Sequence, residues 1–175
     1  MLKDKRVIKL IAVVTVILSS MFMLTGCGNV FNKEKNNKDK DVIASSYETP
    51  IKNIVEGLSE ANPTKFLSAF PSFIAQPMKS IFTEEYLKGT LEDAKEEYGE
   101  NIVMSYSIVD KESIDKEELE EIVGEIKDSF DEDVEITEGY EVNVKITTKG
   151  DDKEDSEEDS FKVYNIDGDW YILNL

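Results

Sequence analysis

Residues 161–173 read FKVYNIDGDWYIL and combine two apolar segments with a turn between them. Phe161 to Ile166 and Trp170 to Leu173 are rich in β-branched and aromatic residues, which favour strands. Asp167-Gly168 is a strong signal for a two-residue hairpin, because such a turn needs positive φ angles that Gly and Asp tolerate. This stretch therefore predicts an antiparallel hairpin at the end of the domain.

Two segments upstream of this hairpin alternate apolar and polar residues with the period of two that strands require. The first runs from Asn101 to Val109, where Met104, Tyr106 and Ile108 share one side. In the second, the apolar residues alternate with polar ones along the chain; the apolar residues are Tyr140, Val142, Val144 and Ile146, and the polar residues are Glu141, Asn143, Lys145 and Thr147. Together with the hairpin, these segments predict a sheet of about four antiparallel strands, one face of it wet.

The chain on either side of the first strand segment, residues 49–99 and 115–130, follows a helical period instead. Pro71 and Pro77 divide residues 63–82 into two short helical pieces, and Gly99 stands where a left-handed C-cap is expected. Start signals of helices occur at Thr49-Pro50, Asn62-Pro63, Thr83-Glu84-Glu85 and Asp115-x-x-Glu118. The predicted fold class is α+β, with N-terminal helices and one later helix packed on a curved antiparallel sheet.

The first 27 residues have the three parts of an export signal. Basic residues come first, an apolar run from Leu10 to Leu24 follows, and small residues lead to Cys27. The run of about fifteen residues is short for a membrane span, which needs roughly twenty. The alternative is an uncleaved anchor helix in which Cys27 is incidental. The basic residues are Lys3, Lys5, Arg6 and Lys9.

The segment Leu24-Thr25-Gly26-Cys27 resembles the lipobox of bacterial lipoproteins. The resemblance implies cleavage between Gly26 and Cys27 and a diacylglyceryl group, carrying fatty acids such as palmitate, on the Cys27 sulfur. Two acyl chains hold a protein stably on a bilayer, whereas one does not. We therefore expect a lipid anchor on the extracytoplasmic face of the cell membrane.

Composition divides the chain into three parts. Residues 1–26 are the predicted signal peptide, residues 27–46 a lipidated cysteine with a flexible polar tether, and residues 47–175 a single α+β domain. The tether reads GNVFNKEKNNKDKDVIASS after the cysteine and has no helical or strand period. Lysine outnumbers arginine nineteen to one, a composition that points to an AT-rich genome, as in many Gram-positive lineages.

The charge of the chain limits its partners. Asp and Glu number 38 against 20 Lys and Arg, so the formal charge is −18, and removal of the leader takes it to −21. Such a chain repels both nucleic acid and an anionic membrane surface. With no histidine and one cysteine, the chain excludes histidine general bases, Ser-His-Asp triads, His/Cys zinc sites and internal disulfides.

The domain resembles the nuclear transport factor 2-like cone, an α+β family whose sheet is similar to that of cystatins and which includes many uncharacterised lipoprotein domains. The features that carry the resemblance are Tyr140 entering a strand, the closing stretch Asn165 to Ile172, and the helical opening with residues 66–70. The resemblance implies either a non-catalytic binding or dimerisation module or a pocket enzyme of the isomerase or dehydratase type. Enzymes of the family place Asp, His or Tyr inside the cone.

Two groups of residues are candidates for a site. Residues 151–159 read DDKEDSEED; their spacing does not fit a calcium loop, so we expect a solvated hairpin loop kept open by charge repulsion and no metal or cofactor site. Aromatic residues on the strands could instead line a pocket, although core packing is the commoner role. The candidate pocket residues are Tyr106, Tyr140, Tyr164 and Trp170, with Tyr171 beside them.

The leading hypothesis is a lipid-anchored, non-catalytic module that binds a small ligand or an envelope protein. Its expected partners are the membrane, through Cys27, that ligand or protein, and a second copy in a homodimer. The alternatives are a pocket enzyme that uses Asp and Tyr, and a structural spacer.

Overall fold

The computed structural model of the protein describes residues 46–173. Within them, helices pack on a four-stranded antiparallel sheet that does not close into a barrel, which confirms the predicted α+β class. The predicted leader, Gly26, Cys27 and the tether up to residue 45 lie outside the described residues. The elements are α1 (Thr49–Ser59), α2 (Pro63–Leu67), α3 (Ser72–Met78), α4 (Glu84–Tyr98), β1 (Val103–Ser113), α5 (Lys116–Phe130), β2 (Ile136–Lys149), β3 (Glu154–Ile166) and β4 (Asp169–Ile172).

The sheet is a meander with the strand order β1-β2-β3-β4. The predicted hairpin between β3 and β4 is confirmed, since Asp167 and Gly168 have φ angles of 53° and 91°. These positive values are those of a turn whose twist matches the flanking strands. The Asp167 Oδ1 atom also accepts a hydrogen bond from the Glu135 backbone N–H at 2.9 Å, which ties the turn to the start of β2.

The prediction of an acidic loop at residues 151–159 is wrong for residues 154–159, which form the start of β3. The turn occupies only residues 150–153, where the Gly150 N–H donates to the Lys153 carbonyl at 2.9 Å, and β3 begins at Glu154. Lysines on β2 offset the expected repulsion, because Lys149 lies opposite Glu154 and Lys145 opposite Glu158. The Lys149 Nζ atom is 2.8 Å from the Glu154 carboxylate. Opposite charges facing each other across strands favour pairing.

Three of the four predicted helix starts have the expected side-chain cap. In each, a side-chain oxygen accepts a backbone N–H three residues ahead; the capping residues are Asn62, Thr83 and Asp115. The fourth differs, because α1 already includes Thr49 and Glu48 stands at the cap position without a side-chain bond. The Thr49 hydroxyl instead accepts the Ser46 N–H at 3.1 Å.

Different helices pack on the two faces of the sheet. We call the side that packs against α1 the α1 face and the opposite side the α5 face. The centre of the α1 face is fully buried and consists of Val142, Val144, Phe161 and Val163. Val142, Val144 and Phe161 alternate with polar neighbours, whereas Val163 is followed by Tyr164, which is buried on the opposite face.

The α5 face is covered by a single helix. Tyr164 is fully buried there, and Gly139 lies opposite it on β2. A Cβ atom at Gly139 would stand 2.9 Å from both the Leu119 side chain and the Tyr164 ring, so only glycine leaves room for this packing. The Lys162 Nζ atom, 2.6 Å from the Glu118 carboxylate, joins β3 to α5 beside it.

The helices continue around the β4 edge of the sheet. The Ile172 N–H of β4 donates to the Ala69 carbonyl at 2.8 Å, and the rings of Phe73 and Phe130 join α3 to α5 with centroids 4.9 Å apart. Within residues 46–173, β1 forms the other edge and pairs with β2 alone. No helix in this range is long and apolar enough to cross a membrane.

Tyr164 provides a test of this packing. Its hydroxyl is buried without a hydrogen-bond partner in the described part of the chain, and burial raises its pKa, so the group stays neutral. We expect Tyr164→Phe to raise the free energy of unfolding by about 1 kcal/mol, since a buried unpaired polar group is costly. Urea denaturation measures the change.

Tyr86→Phe is the matched control, because Tyr86 is 40% exposed and its substitution should change little. A loss of stability in Tyr164→Phe well beyond that control would contradict the burial of an unpaired hydroxyl.

Candidate functional site

Three aromatic side chains from distant parts of the chain meet on the α1 face. Tyr140 of β2 and Trp170 of β4 stack with ring centroids 5.6 Å apart and planes 16° apart. Tyr47, just before α1, meets them edge-on at 5.4 Å and 6.4 Å. We call Tyr47, Tyr140 and Trp170 the aromatic corner.

The strand register explains why these rings meet. Tyr140 lies opposite Val163, which lies opposite Ile172 on β4. Trp170 is two residues before Ile172, so it points to the same face one step along the strand. The tight hairpin turn therefore brings Trp170 back opposite Asn165, one step along the sheet from the level of Tyr140.

A lysine from the edge strand completes the cluster. The Lys111 Nζ atom is 4.1 Å from the centroid of the Tyr47 ring and 4.0 Å from that of Tyr140. Both distances are within the range of roughly 6 Å in which a ring face attracts a cation. The corner is therefore a binding geometry for an ammonium group, and the protein's own side chain occupies it.

A β-bulge places Lys111 on the α1 face. The register between β1 and β2 shifts between Ile108 and Asp110, so Val109 is an extra residue. Without the shift, the side chains of residues 110 and 112 would lie on the α1 face together with that of Ile108. The Lys111 side chain would then lie on the α5 face. Bulges commonly re-aim a side chain in this way. Nothing in the alternation of residues 101–109 predicts the shift, so Lys111 is not recognisable as a site residue from the sequence.

Carboxylates stand next to both tyrosines of the corner. The Tyr140 hydroxyl donates a short hydrogen bond to Glu138, and this bond raises the Tyr140 pKa. Burial, and then the neighbouring Glu48, raise the Tyr47 pKa. Both phenols therefore stay protonated at neutral pH, and the local charge favours a cation over an anion.

The four predicted pocket residues do not form one pocket. Tyr140 and Trp170 are together in the aromatic corner. Tyr106 lies on the same face but opposite Ile146, farther along the sheet. Tyr164 is on the α5 face, because Val163 is the residue opposite Tyr140 and the next residue must point the other way. Tyr171 pairs with Tyr164 and shares that face.

A second candidate site is a cleft between the sheet and α1. Its acidic side consists of Asp155, Glu157 and Asp159, which alternate along the α1 face of β3. Its apolar side includes Ile54, Val55, Leu58, Tyr98, Met104 and Ile146. The water-accessible space is about 30 Å³, room for one or two water molecules. A pocket that encloses a drug-sized ligand measures roughly 300–1,000 Å³.

The acids of the cleft differ in their partners. Lys153 lies 2.5 Å from Asp155 and 2.7 Å from Glu97, and these bonds raise the Lys153 pKa, so the ammonium stays charged. Asp159 has no such partner: its Oδ1 atom accepts the Ser160 N–H at 2.9 Å, and its Oδ2 atom is buried and unpaired within the described residues. Burial raises the Asp159 pKa. A buried carboxyl of this kind is the sort of group that acid–base chemistry uses.

The spacing of the acids limits what the cleft can bind. Alternate residues of a strand are about 7 Å apart, too far for three carboxylates to share one small cation. Among residues 46–173, no group of three or more acidic, cysteine or histidine side chains could hold a metal ion. The cleft therefore offers one protonatable carboxyl and space for water.

Comparison with protein-family models, curated protein sequences and solved structures finds no match to this chain. The resemblances to the lipobox and to the nuclear transport factor 2-like cone therefore stay predictions.

Asp159 gives a pH-dependent prediction. Its carboxyl has a pKa above its ordinary value of 3.8 in the folded state, so the folded protein binds more protons between those two pKa values and loses stability as pH rises through that window. We expect Asp159→Asn to raise the free energy of unfolding by about 1 kcal/mol at pH 7. The gain should disappear below about pH 4, where the wild-type carboxyl is protonated in both states.

Urea denaturation at pH 7 and pH 3.5 measures both values. Glu121→Gln removes the same charge from an exposed position on α5 and serves as the control. An Asp159→Asn variant that is less stable than wild type at pH 7 would show that the carboxylate has a stabilising partner.

Proposed function

We propose that this protein is a lipid-anchored extracytoplasmic lipoprotein whose domain is a non-catalytic binding module. The leader is the observation that supports this location. It has a basic start, then a short apolar run, and it ends in Leu24-Thr25-Gly26-Cys27. Cys27 is the only thiol of the chain. A modified cysteine at that position needs neither a disulfide partner nor a metal.

The charge of the mature chain supports a lipid anchor over a protein surface as the means of attachment. At a formal charge of −21 without the leader, the chain is repelled by an anionic bilayer. Two acyl chains overcome this repulsion because each buried methylene contributes about 0.8 kcal/mol. A flexible tether of the predicted length spans roughly 25 Å root mean square and holds the domain close to the surface.

The packing of the domain supports binding at the surface. Phe66, Phe161 and Tyr164 fill the interior and are fully buried, and the acidic cleft admits only water. The aromatic corner, in contrast, combines half-buried tyrosines with an exposed Lys111. Aromatic side chains with one apolar and one polar side are common in recognition surfaces. We therefore place recognition at the corner.

The corner is also the recognition surface nearest to the anchor along the chain. Tyr47 follows directly on the predicted tether, residues 27–46. A ligand or envelope protein bound at Tyr47 is therefore held beside the membrane, as the proposed module requires.

A pocket enzyme is the second candidate, and Asp159 favours it. A buried carboxyl with a raised pKa is a feature of acid–base sites. This function requires that the cleft beneath α1 open from its present size to admit a substrate. The binding module requires no such change.

Metabolic labelling tests the anchor. We expect cells that express the full chain to incorporate a clickable fatty acid into the wild-type protein, and Cys27→Ala to abolish incorporation because the acceptor sulfur is gone. Thr25→Ala keeps the thiol within the same segment and should still be labelled. Equal labelling of wild type and Cys27→Ala would rule out modification at this residue.

A further inference from the structure

We propose that the aromatic corner is a binding site for an organic ammonium group and that Lys111 is its intramolecular competitor. This inference rests on the proposed binding function, since it names the site and the class of ligand. The ligand is a primary or quaternary amine carried by a small molecule or by a lysine side chain.

The geometry of the corner suits an ammonium group. The planes of Tyr47 and Tyr140 are 60° apart, so their faces form an angle into which a cation fits. The Lys111 Nζ atom lies about equally far from both ring centroids, at 4.1 Å and 4.0 Å. Trp170 stacks behind Tyr140 and holds that wall in place. Aromatic walls around a cation are the usual means of recognising ammonium ligands.

The contacts of Lys111 differ from those of the ion-paired lysines of the domain. Lys65, Lys127 and Lys153 each lie within 4 Å of two carboxylates. In the described part of the chain, the Lys111 ammonium has the two rings and no salt bridge. Within residues 46–173, the Lys111 ammonium therefore occupies the corner without a direct counterion.

The Lys111 side chain can be displaced. It is exposed on the edge strand, and a cation–π contact at an exposed site changes an equilibrium constant only by about two- to fivefold. Its four-carbon stem is flexible, so it can leave the corner without moving β1. An external amine then meets the same two rings.

The electrostatics of the corner select for cations. The Glu138 carboxylate accepts a hydrogen bond from the Tyr140 hydroxyl, and Glu48 stands next to Tyr47 in the chain. These carboxylates and the strongly negative net charge raise the local concentration of cationic ligands. While Lys111 occupies the rings, it blocks an incoming amine and its positive charge repels that amine. The competition is therefore both steric and electrostatic.

Fluorescence provides a direct measurement, because Trp170 is the only tryptophan. The full chain is purified in a sugar-headed detergent, since choline headgroups would compete, and choline is titrated while Trp170 emission is recorded. We expect saturable binding in Lys111→Thr, with an apparent affinity about fivefold above wild type. Lys145→Thr makes the same substitution on the α5 face of β2 and should match wild type.

Variants of the walls locate the site. In the Lys111→Thr background, Tyr140→Leu should weaken choline binding by about fivefold, whereas Tyr140→Phe keeps the ring and should keep binding. A thermal melt of each variant confirms that it is folded. The uncharged analogue 3,3-dimethylbutan-1-ol has nearly the shape of choline and should not bind. Nα-acetyl-lysine N-methylamide, titrated in parallel, shows whether a lysine side chain is the better ligand.

Three results would overturn the proposal. The first is no saturable response to either amine in Lys111→Thr, and the second is equal affinity in Lys111→Thr and Lys145→Thr. The third is equal binding of choline and its uncharged analogue, which would make the site merely apolar. None of these results depends on Cys27, so they are distinguishable from a failure of the proposed lipid anchor.

Discussion

The antiparallel pairing of β2 with β3 is the constraint on which the other elements depend. It runs from Ile136 opposite Ile166 to Lys149 opposite Glu154, the full length of both strands, with one irregularity between Ile136 and Glu138. Because side chains alternate between the two faces, the register from Glu138 onward fixes the face on which each residue lies. Val142 and Phe161, fully buried opposite each other, provide the surface on which the helices pack.

The same register creates both candidate sites. It places Tyr140 within stacking distance of Trp170, which follows the turn between β3 and β4. It also directs Asp159 toward α1, into the cleft between the sheet and α1. One irregularity then decides the chemistry of the corner, since the bulge after Ile108 brings Lys111 onto the rings. A surface that would otherwise be a patch of aromatic residues thereby becomes an ammonium site. The polar sequence before Tyr47 supplies the proposed link to the membrane.

Local signals in the sequence predicted much of the fold. The Asp167-Gly168 turn and the cap at Asn62 depend on a few neighbouring residues, and they were correct. The acidic stretch was misjudged, because repulsion among adjacent acids is visible in the sequence but relief by Lys145 and Lys149 requires the cross-strand register. The same register separates Tyr164 from the other predicted pocket residues. Lys111 was missed because a bulge of one residue leaves no mark in the alternation.

Amide hydrogen exchange along residues 154–159 is the sharpest test of the β2–β3 pairing, since this stretch is either the first half of β3 or a loop. We expect alternation: amides that point to β2 should exchange slowly, as buried paired amides do, while those on the open side exchange fast. Uniformly fast exchange across all six residues would show that this half of β3 is not paired with β2. It would remove the register that places Asp159 in the cleft and that orders the sheet beneath the aromatic corner.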